Sequence, residues 1–303
     1  MTRAAESLHV AQPALGAQVR QMEEKLGTPL LSRHSRGVSV TPAGQLLFER
    51  AQVILAMLAE TTRDVAAFHA GQKETIRLGM SPSVVHMAAS DMLARAETAM
   101  PHVALRIVEE TSLVLFDALK RGELDMLLAH EIPDSPGLTR TPWLNEELLF
   151  VTAPEAGSAQ SVRTSWEVTN TISLAKALEA WLSFPLRLDG IRKIIETAAK
   201  PLKLKPRIAF QVQSPQTLKM LIIDHSVASI LPYGLAFSEL RTGVLVAYRV
   251  TQPALVRTLY MVRTEKRLSA GNEAALEALL ASIKVRLFDQ LGPLATVAMQ
   301  QNT

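Results

Sequence analysis

Residues 79–83, Gly-Met-Ser-Pro-Ser, begin like the sharp strand-to-helix turn that presents a nucleophilic serine. Ser83 stands where that turn needs its second glycine, and no histidine or carboxylate lies at a spacing that marks it as an acid–base partner. The seven histidines (His9, His34, His69, His86, His102, His130, His225) are scattered, and no two are four residues apart around a glutamate. That argues against a metal centre. The chain has no cysteine, which removes disulfides, thiolate metal sites and cysteine nucleophiles. No glycine-rich phosphate loop and no dinucleotide fingerprint is present. An enzyme, a metal and a cofactor are therefore not expected. The chain offers binding surfaces instead.

The first such surface lies in VAQPALGAQVRQMEEKLG, Val10 to Gly27. Pro13 suits the first turn of a helix, where its missing N–H costs nothing. Ala14, Leu15, Val19, Met22 and Leu26 recur on one face, and Gly27 suits the residue that ends the helix. The preceding RAAESL, residues 3–8, reads as a short helix. The following PLLSRHSRGVSVTP reads as two short strands about a basic turn. Two helices joined by a tight turn, then a basic hairpin, look like a winged helix-turn-helix.

In such a unit the start of the second helix faces base edges. Those residues are Gln12, Pro13, Ala14, Ala17 and Gln18. Glutamine pairs with adenine; the small Ala14, Gly16 and Ala17 allow close approach and contact with thymine methyls. Arg20 lies farther along, in reach of a phosphate. Arg33 and Arg36, in the hairpin, reach the backbone or a narrow minor groove.

The elements that must position these residues come next. From Pro42-Ala43-Gly44 to about Gly71 one long helical pattern carries Leu47, Ala51, Ile54, Leu58, Thr61, Val65 and Phe68 at alternating spacings of four and three. A strict alternation of that kind favours a partner helix, hence a dimer. Beyond it, strands and helices alternate: TIRLGMS, a helix from about Val84, VALRIVE, a helix from Ser112, LDMLLAHE and ELLFVTAP. That order implies a mostly parallel sheet with helices on both faces. Around Ala153-Pro154 the pattern restarts, and a final helix carries Leu276, Leu279, Leu280, Ile283 and Leu287.

Composition agrees with several folded domains. The chain has 303 residues, 48% hydrophobic and 20% charged, with a formal net charge of +3. No stretch reads as a signal peptide, and no uncharged apolar run reaches the length of a membrane span. A cytoplasmic protein with no membrane partner is expected.

The whole opening stretch, RAAESLHVAQPALGAQVRQMEEKLGTPLLSRHSRGVSVTPAGQLLFERAQVIL, resembles the N-terminal domain of LysR-type transcriptional regulators. Matching pieces include Ala4-Ala5-Glu6, Gln12-Pro13-Ala14-Leu15, Leu26-Gly27, Arg36-Gly37 and Thr41-Pro42-Ala43-Gly44. The later β/α alternation, including ILPYG, resembles the family's effector-binding region. The resemblance implies a multidomain α and α/β chain. Residues 1–42 form the winged helix-turn-helix and 43–72 the linker and dimerisation helix. Residues 73–290 form an effector domain of periplasmic-binding-protein type, and 291–303 a tail. Subdomain I takes 75–152 and 254–290, subdomain II takes 153–253. Family members carry a first helix ahead of a stretch like TRAAE, so the match implies a reader short of that helix. A second reading follows: an effector-binding oligomer with impaired DNA binding.

The implied partners are promoter DNA, a small-molecule effector, further copies of the chain (a dimer or tetramer) and RNA polymerase. Ligands in open α/β sheets bind beyond the carboxyl ends of strands. Candidates there are Ser81 and Ser83 after the first strand, His130 after another, and Ser214 and Gln216 in the second subdomain. SFPLRLDGIR adds Pro185 and Arg187, the latter able to pair with a carboxylate. Each serine equally fits simple helix capping. A small carboxylate or similar anion is the expected effector.

Overall fold

The computed structural model describes residues 2–7, 9–34, 37–69, 73–154, 168, 170–185, 189–212, 214–225, 227–264 and 270–298. Two compact units divide the chain, one over residues 1–70 and the other over most of 71–303.

In the first unit, α1 (Thr2–Ser7) is followed by α2 (Gln12–Leu26), with Pro13 in its first turn. Gly27 ends α2 in the left-handed conformation (φ 65), which glycine adopts without strain. Thr28 N–H then donates back to Glu23 O at 3.3 Å. The Glu23 carboxylate also accepts from the N–H groups of Leu30 and Leu31, at 2.8 and 3.0 Å. One side chain thereby aims the chain from the helix into the wing. The wing is an antiparallel hairpin of β1 (Leu31–His34) and β2 (Gly37–Val40). Thr41 Oγ1 donates to Pro29 O and accepts from Gly44 N–H, which starts α3 (Pro42–His69) against the hairpin. The apolar face expected on α2 is only half covered. Leu15 and Val19 are half-buried, whereas Ala14, Met22 and Leu26 are exposed.

The second unit has two lobes. In chain order its elements are β3 (Glu74–Met80), α4 (Pro82–Val84), a π-helical turn (Val85–Ala89), α5 (Ser90–Ala99), β4 (Val103–Glu109), α6 (Ser112–Lys120), β5 (Met126–His130) and β6 (Leu138–Thr152). Next come β7 (Thr171–Ser173), α7 (Leu174–Ala177), β8 (Trp181–Pro185), α8 (Asp189–Ala199), β9 (Arg207–Val212), α9 (Pro215–His225) and β10 (Ser229–Pro232). The chain finishes with α10 (Phe237–Arg241), β11 (Val246–Thr251), β12 (Val256–Thr264), α11 (Ala270–Leu291) and β13 (Ala295–Val297).

Lobe I is the sheet β4-β3-β5-β12-β6. In lobe II, β10 and β11 flank the far half of β6, β7 lies outside β11, and a bridge Leu182↔Ala228 brings the β8–β9 pair alongside. The long strand β6 belongs to both lobes. Up to Glu147 it pairs with β12, and from Leu148 it pairs with β10. Leu148 N–H donates to Leu255 O at 2.8 Å, so the outgoing and returning crossings are tied together.

Three differences from the sequence expectations stand out. The sheet is mixed rather than mostly parallel: β3 runs parallel to β4 and β5, but β12 and β6 are antiparallel to their neighbours. β6 begins well before ELLFVTAP, because Thr139–Asn145 pair with β12 despite their polarity and Pro142. The segment expected as a loose tail instead returns as β13 on β6, with Ala295 opposite Glu146.

The lobe I core gathers Ile76, Leu78, Met80, Met92, Leu128 and Leu144 under the α11 leucines. The lobe II core holds Leu148, Phe150, Leu182, Ile191, Ile195 and Ile230. Gly234 follows β10 and packs its backbone directly on Ser83 O, where a Cβ would collide. Among the described residues no helix is long and apolar enough to cross a membrane.

Candidate functional site

Two surfaces meet the requirements set by the sequence. The first is the N-terminal half of α2. Gln12, Pro13, Ala14, Ala17, Gln18 and Arg20 are all exposed there. Gly16 differs: it is the buried residue of this helix, so it presents no surface of its own, although the space beyond its Cβ direction is open. Arg36 lies outside the described residues, as does the side chain of Arg33.

Along α3 the expected seam is exposed at Ile54 (66%) and Leu58 (62%) and half-buried at Leu47 and Ala51. Thr61 is exposed and donates its hydroxyl to Met57 O. The side chains of Val65 and Phe68 lie outside the described residues. Leu46, Phe48, Leu55 and Met57 are exposed too, so the apolar surface is broader than one heptad seam. An exposed apolar face of this extent marks an interaction surface.

The second surface is a cavity of about 700 Å³ in the second unit. Lobe I supplies Thr111, Ser112 and Leu113 from the start of α6, with His130 and Glu131 from the end of β5. Lobe II supplies Gly190, Ile191, Lys193, Ile194, Thr197 and Ala198 from α8. The returning crossing, Pro253–Arg257, forms the remaining wall. The start of α6 and one face of α8, from Gly190 to Ala198, thus line one cavity from opposite lobes. The first N–H groups of a helix lack intrahelical acceptors, and the helix dipole favours negative charge there. Lys193 adds a full positive charge on the lobe II wall. Much of the remaining lining is apolar, as small-molecule sites generally are.

Behind the cavity lies a buried polar network. Arg257 Nε and Nη2 both donate to Glu146 Oε2, at 2.9 and 2.6 Å, and Nη2 also donates to Ser83 Oγ at 2.8 Å. His130 Nδ1 lies 3.3 Å from Ser81 Oγ, and its Nε2 lies 3.2 Å from Glu146 Oε2 but off the line of a hydrogen bond. Burial pushes His130 down to about 4, reinforced by the Arg257 charge. The imidazole is therefore neutral at pH 7. Burial alone would raise Glu146; Arg257 and His130 outweigh it and hold the carboxyl at about 2.

Ser81, His130 and Glu146 stand in the order of a serine–histidine–carboxylate relay, which the sequence spacing concealed. The chemistry is nevertheless wrong for one. Arg257 takes up the carboxylate charge, so it cannot support an imidazolium. A histidine that weak is a poor general base at neutral pH. Ser81 does not line the cavity.

Among the described effector residues expected from sequence, His130 alone lines this cavity. Ser81 and Ser83 are turned inward to His130 and Arg257. Ser214 and Gln216 are exposed elsewhere on α9, where Ser214 Oγ accepts from Thr217 N–H at 3.4 Å in the manner of a cap. Arg187 and the side chain of Pro185 lie outside the described residues. Thr111, Ser112, Lys193, Thr197 and Arg257 were missed. The α6 start following a strand was the one available signal, by the same rule that selected Ser81.

Comparison with known proteins finds a family match for each unit. Residues 69–284 match the LysR substrate binding domain, and residues 1–45 match the bacterial regulatory helix-turn-helix protein, lysR family. The chain is 27% identical over 287 residues to the nitrogen assimilation regulatory protein nac of Klebsiella aerogenes, covering 93% of this chain and 90% of that protein. Full-length CbnR complexed with its target DNA has a similar fold (TM-score 0.55, 18% identity, 94% of this chain and 93% of that one). So does the effector binding domain of QuiR in complex with shikimate (TM-score 0.57, 16% identity, 71% and 99%). With both domain models matched and the two-lobed architecture in place, this chain belongs to the LysR family of transcriptional regulators.

Proposed function

We propose that this chain works in the cytoplasm as a promoter-binding regulator whose interlobe cavity takes a small anionic effector. The observation that carries the effector half is that the α6 start and the Lys193 face of α8 line one largely apolar cavity. A helix start and an ammonium suit a carboxylate, and the apolar walls suit its carbon skeleton. The ligand touches both lobes, so its affinity depends on the angle between them. That differential affinity is what an effector needs in order to shift an equilibrium between assembly states.

For the DNA half, the exposed α2 start supplies base contacts through Gln12 and Gln18, with backbone contacts from Arg20 and the wing arginines. Dimers through α3, extended to tetramers through the second unit, then present paired readers to an inverted repeat. Bound at a promoter, such an assembly acts on RNA polymerase.

The effector reading is tested by thermal unfolding against a broad panel of small carboxylates. At least one acid should raise the melting temperature in proportion to its concentration, and Lys193→Ala should weaken that acid about tenfold. No stabilisation by any acid would remove the anionic effector.

A further inference from the structure

Away from the reader and the cavity, a one-signed run of charge lies on lobe II where α8 turns into β9. Residues 200–207, Lys-Pro-Leu-Lys-Leu-Lys-Pro-Arg, hold four basic side chains and no acidic one. Their formal charge of +4 exceeds the +3 of the whole chain. Lys200, Lys203, Lys205 and Arg207 are all exposed. Two carboxylates lie near the run, and both are taken: Glu196 by Arg192 and Glu179 by Lys176, each at 2.7 Å. Among the described residues Lys200, Lys203 and Lys205 have no ion-pair partner.

The run is also shaped. Leu204 N–H donates to Ala199 O at 3.2 Å and Lys203 N–H to Lys200 O at 3.1 Å, which closes a capping turn on the end of α8. Lys203 takes the left-handed position (φ 56) that glycine usually fills in such a turn. The end of a helix dipole favours a cation, but its half charge answers for only one of the four. Where the turn enters β9, Arg207 Nη1 donates to Glu179 O at 3.4 Å, and the guanidinium lies 5.9 Å from the centre of the exposed Trp181 ring. Lys205 and Arg207 line one surface hollow. The cations thus stand on one hydrogen-bonded turn, and its three lysines lack a counter-charge in their own chain.

Like charges placed so suit an external polyanion. Lysine is depleted at protein–protein interfaces, whereas surfaces that meet DNA are strongly positive. Three of the four cations are lysines, point charges that hold a phosphate without reading a base. The polyanion is also at hand, because this unit is joined covalently to a DNA reader, which raises the local concentration of phosphate around it. We infer that the second unit grips duplex DNA as well. Lys200, Lys203, Lys205 and Arg207 hold backbone phosphates of the DNA flanking the reader's site, whatever its sequence. The inference rests on DNA binding through α2 and adds a contact that the reader does not supply.

Salt titrations of the full chain on two duplexes test it. One is the shortest upstream duplex whose binding still depends on Gln12 and Gln18; the other carries about 30 further base pairs of random sequence on each side. The longer duplex should bind about tenfold tighter, with a salt slope steeper by at least about two units, since each phosphate held contributes about 0.9. Lys200→Gln with Lys203→Gln and Lys205→Gln should remove both increments and leave the short duplex bound as before. The substituted side chains are exposed, so an unchanged melting temperature serves as the check on folding. A triple variant that binds both duplexes like the parent, or loses equally on both, would overturn the inference and leave the reader standing. Loss of transcriptional control with both affinities unchanged would give this surface to an acidic protein instead, and would overturn it too. Failure of the parent chain to bind either duplex would remove the DNA reading and this inference with it.

Discussion

His130 occupies the environment least like water of any histidine at the site, and its consequences can be measured. In the unfolded chain it takes a proton near its ordinary value of 6.5; in the native protein it resists until about 4. Lowering the pH through that window protonates the unfolded state first, so stability falls, with a slope of about one proton. Glu146 continues the loss from about 4.5 down to about 2, because its native carboxylate must finally be protonated beside Arg257. Urea unfolding between pH 7 and pH 4.5 should show this decline, and His130→Gln should reduce the slope by about one proton. An unchanged slope would place the neutral, buried imidazole in error. At the DNA surface, Gln12→Ala and Gln18→Ala should reduce discrimination between sequences. Arg33→Ala and Arg36→Ala should weaken binding evenly and flatten the salt dependence by about one unit each. Equal losses on specific and random duplexes for all four would defeat that division of roles.

At the scale of elements, α3 carries the assembly claim. Ile54 and Leu58 are more than half exposed in a single chain, a state that a partner helix would end. Ile54→Lys with Leu58→Lys should halve the mass seen by light scattering; an unchanged mass would refute pairing along this face. A different element contact tests the second unit. Gly234 lies so close to Ser83 O that Gly234→Ala must move backbone against backbone. A cost of about 1–3 kcal/mol in urea unfolding is expected, as for other overpacked sites. The local elements were the most legible part of the sequence. Pro13, Gly27 and the basic turn declare α2 and the wing through backbone chemistry, which needs no distant partner. The length of β6 was hidden, because its first half owes its strand conformation to β12, more than a hundred residues away. The return of β13 was hidden for the same reason.

At the scale of the whole molecule, what the sequence concealed was the composition of the cavity rather than its existence. The rule that ligands lie beyond strand ends selected His130, which lines the cavity, and Ser81, which does not. It failed for Ser83 because Arg257, distant in the chain, claims that hydroxyl. It missed Lys193 and Thr197 because a helix face is chosen for a cavity only when two lobes meet across β6. The family assignment brings an N-terminal reader and a two-lobed sensor into one chain, and the account stands on the reader being selective. The most direct measurement is a mobility-shift titration of the full chain at rising salt. It compares the duplex immediately upstream of its own coding region with a scrambled duplex of equal length. A preference of about a thousandfold or more for the upstream duplex is predicted, with affinity falling steeply as salt rises. Equal affinity for the two duplexes at every salt concentration would contradict the account.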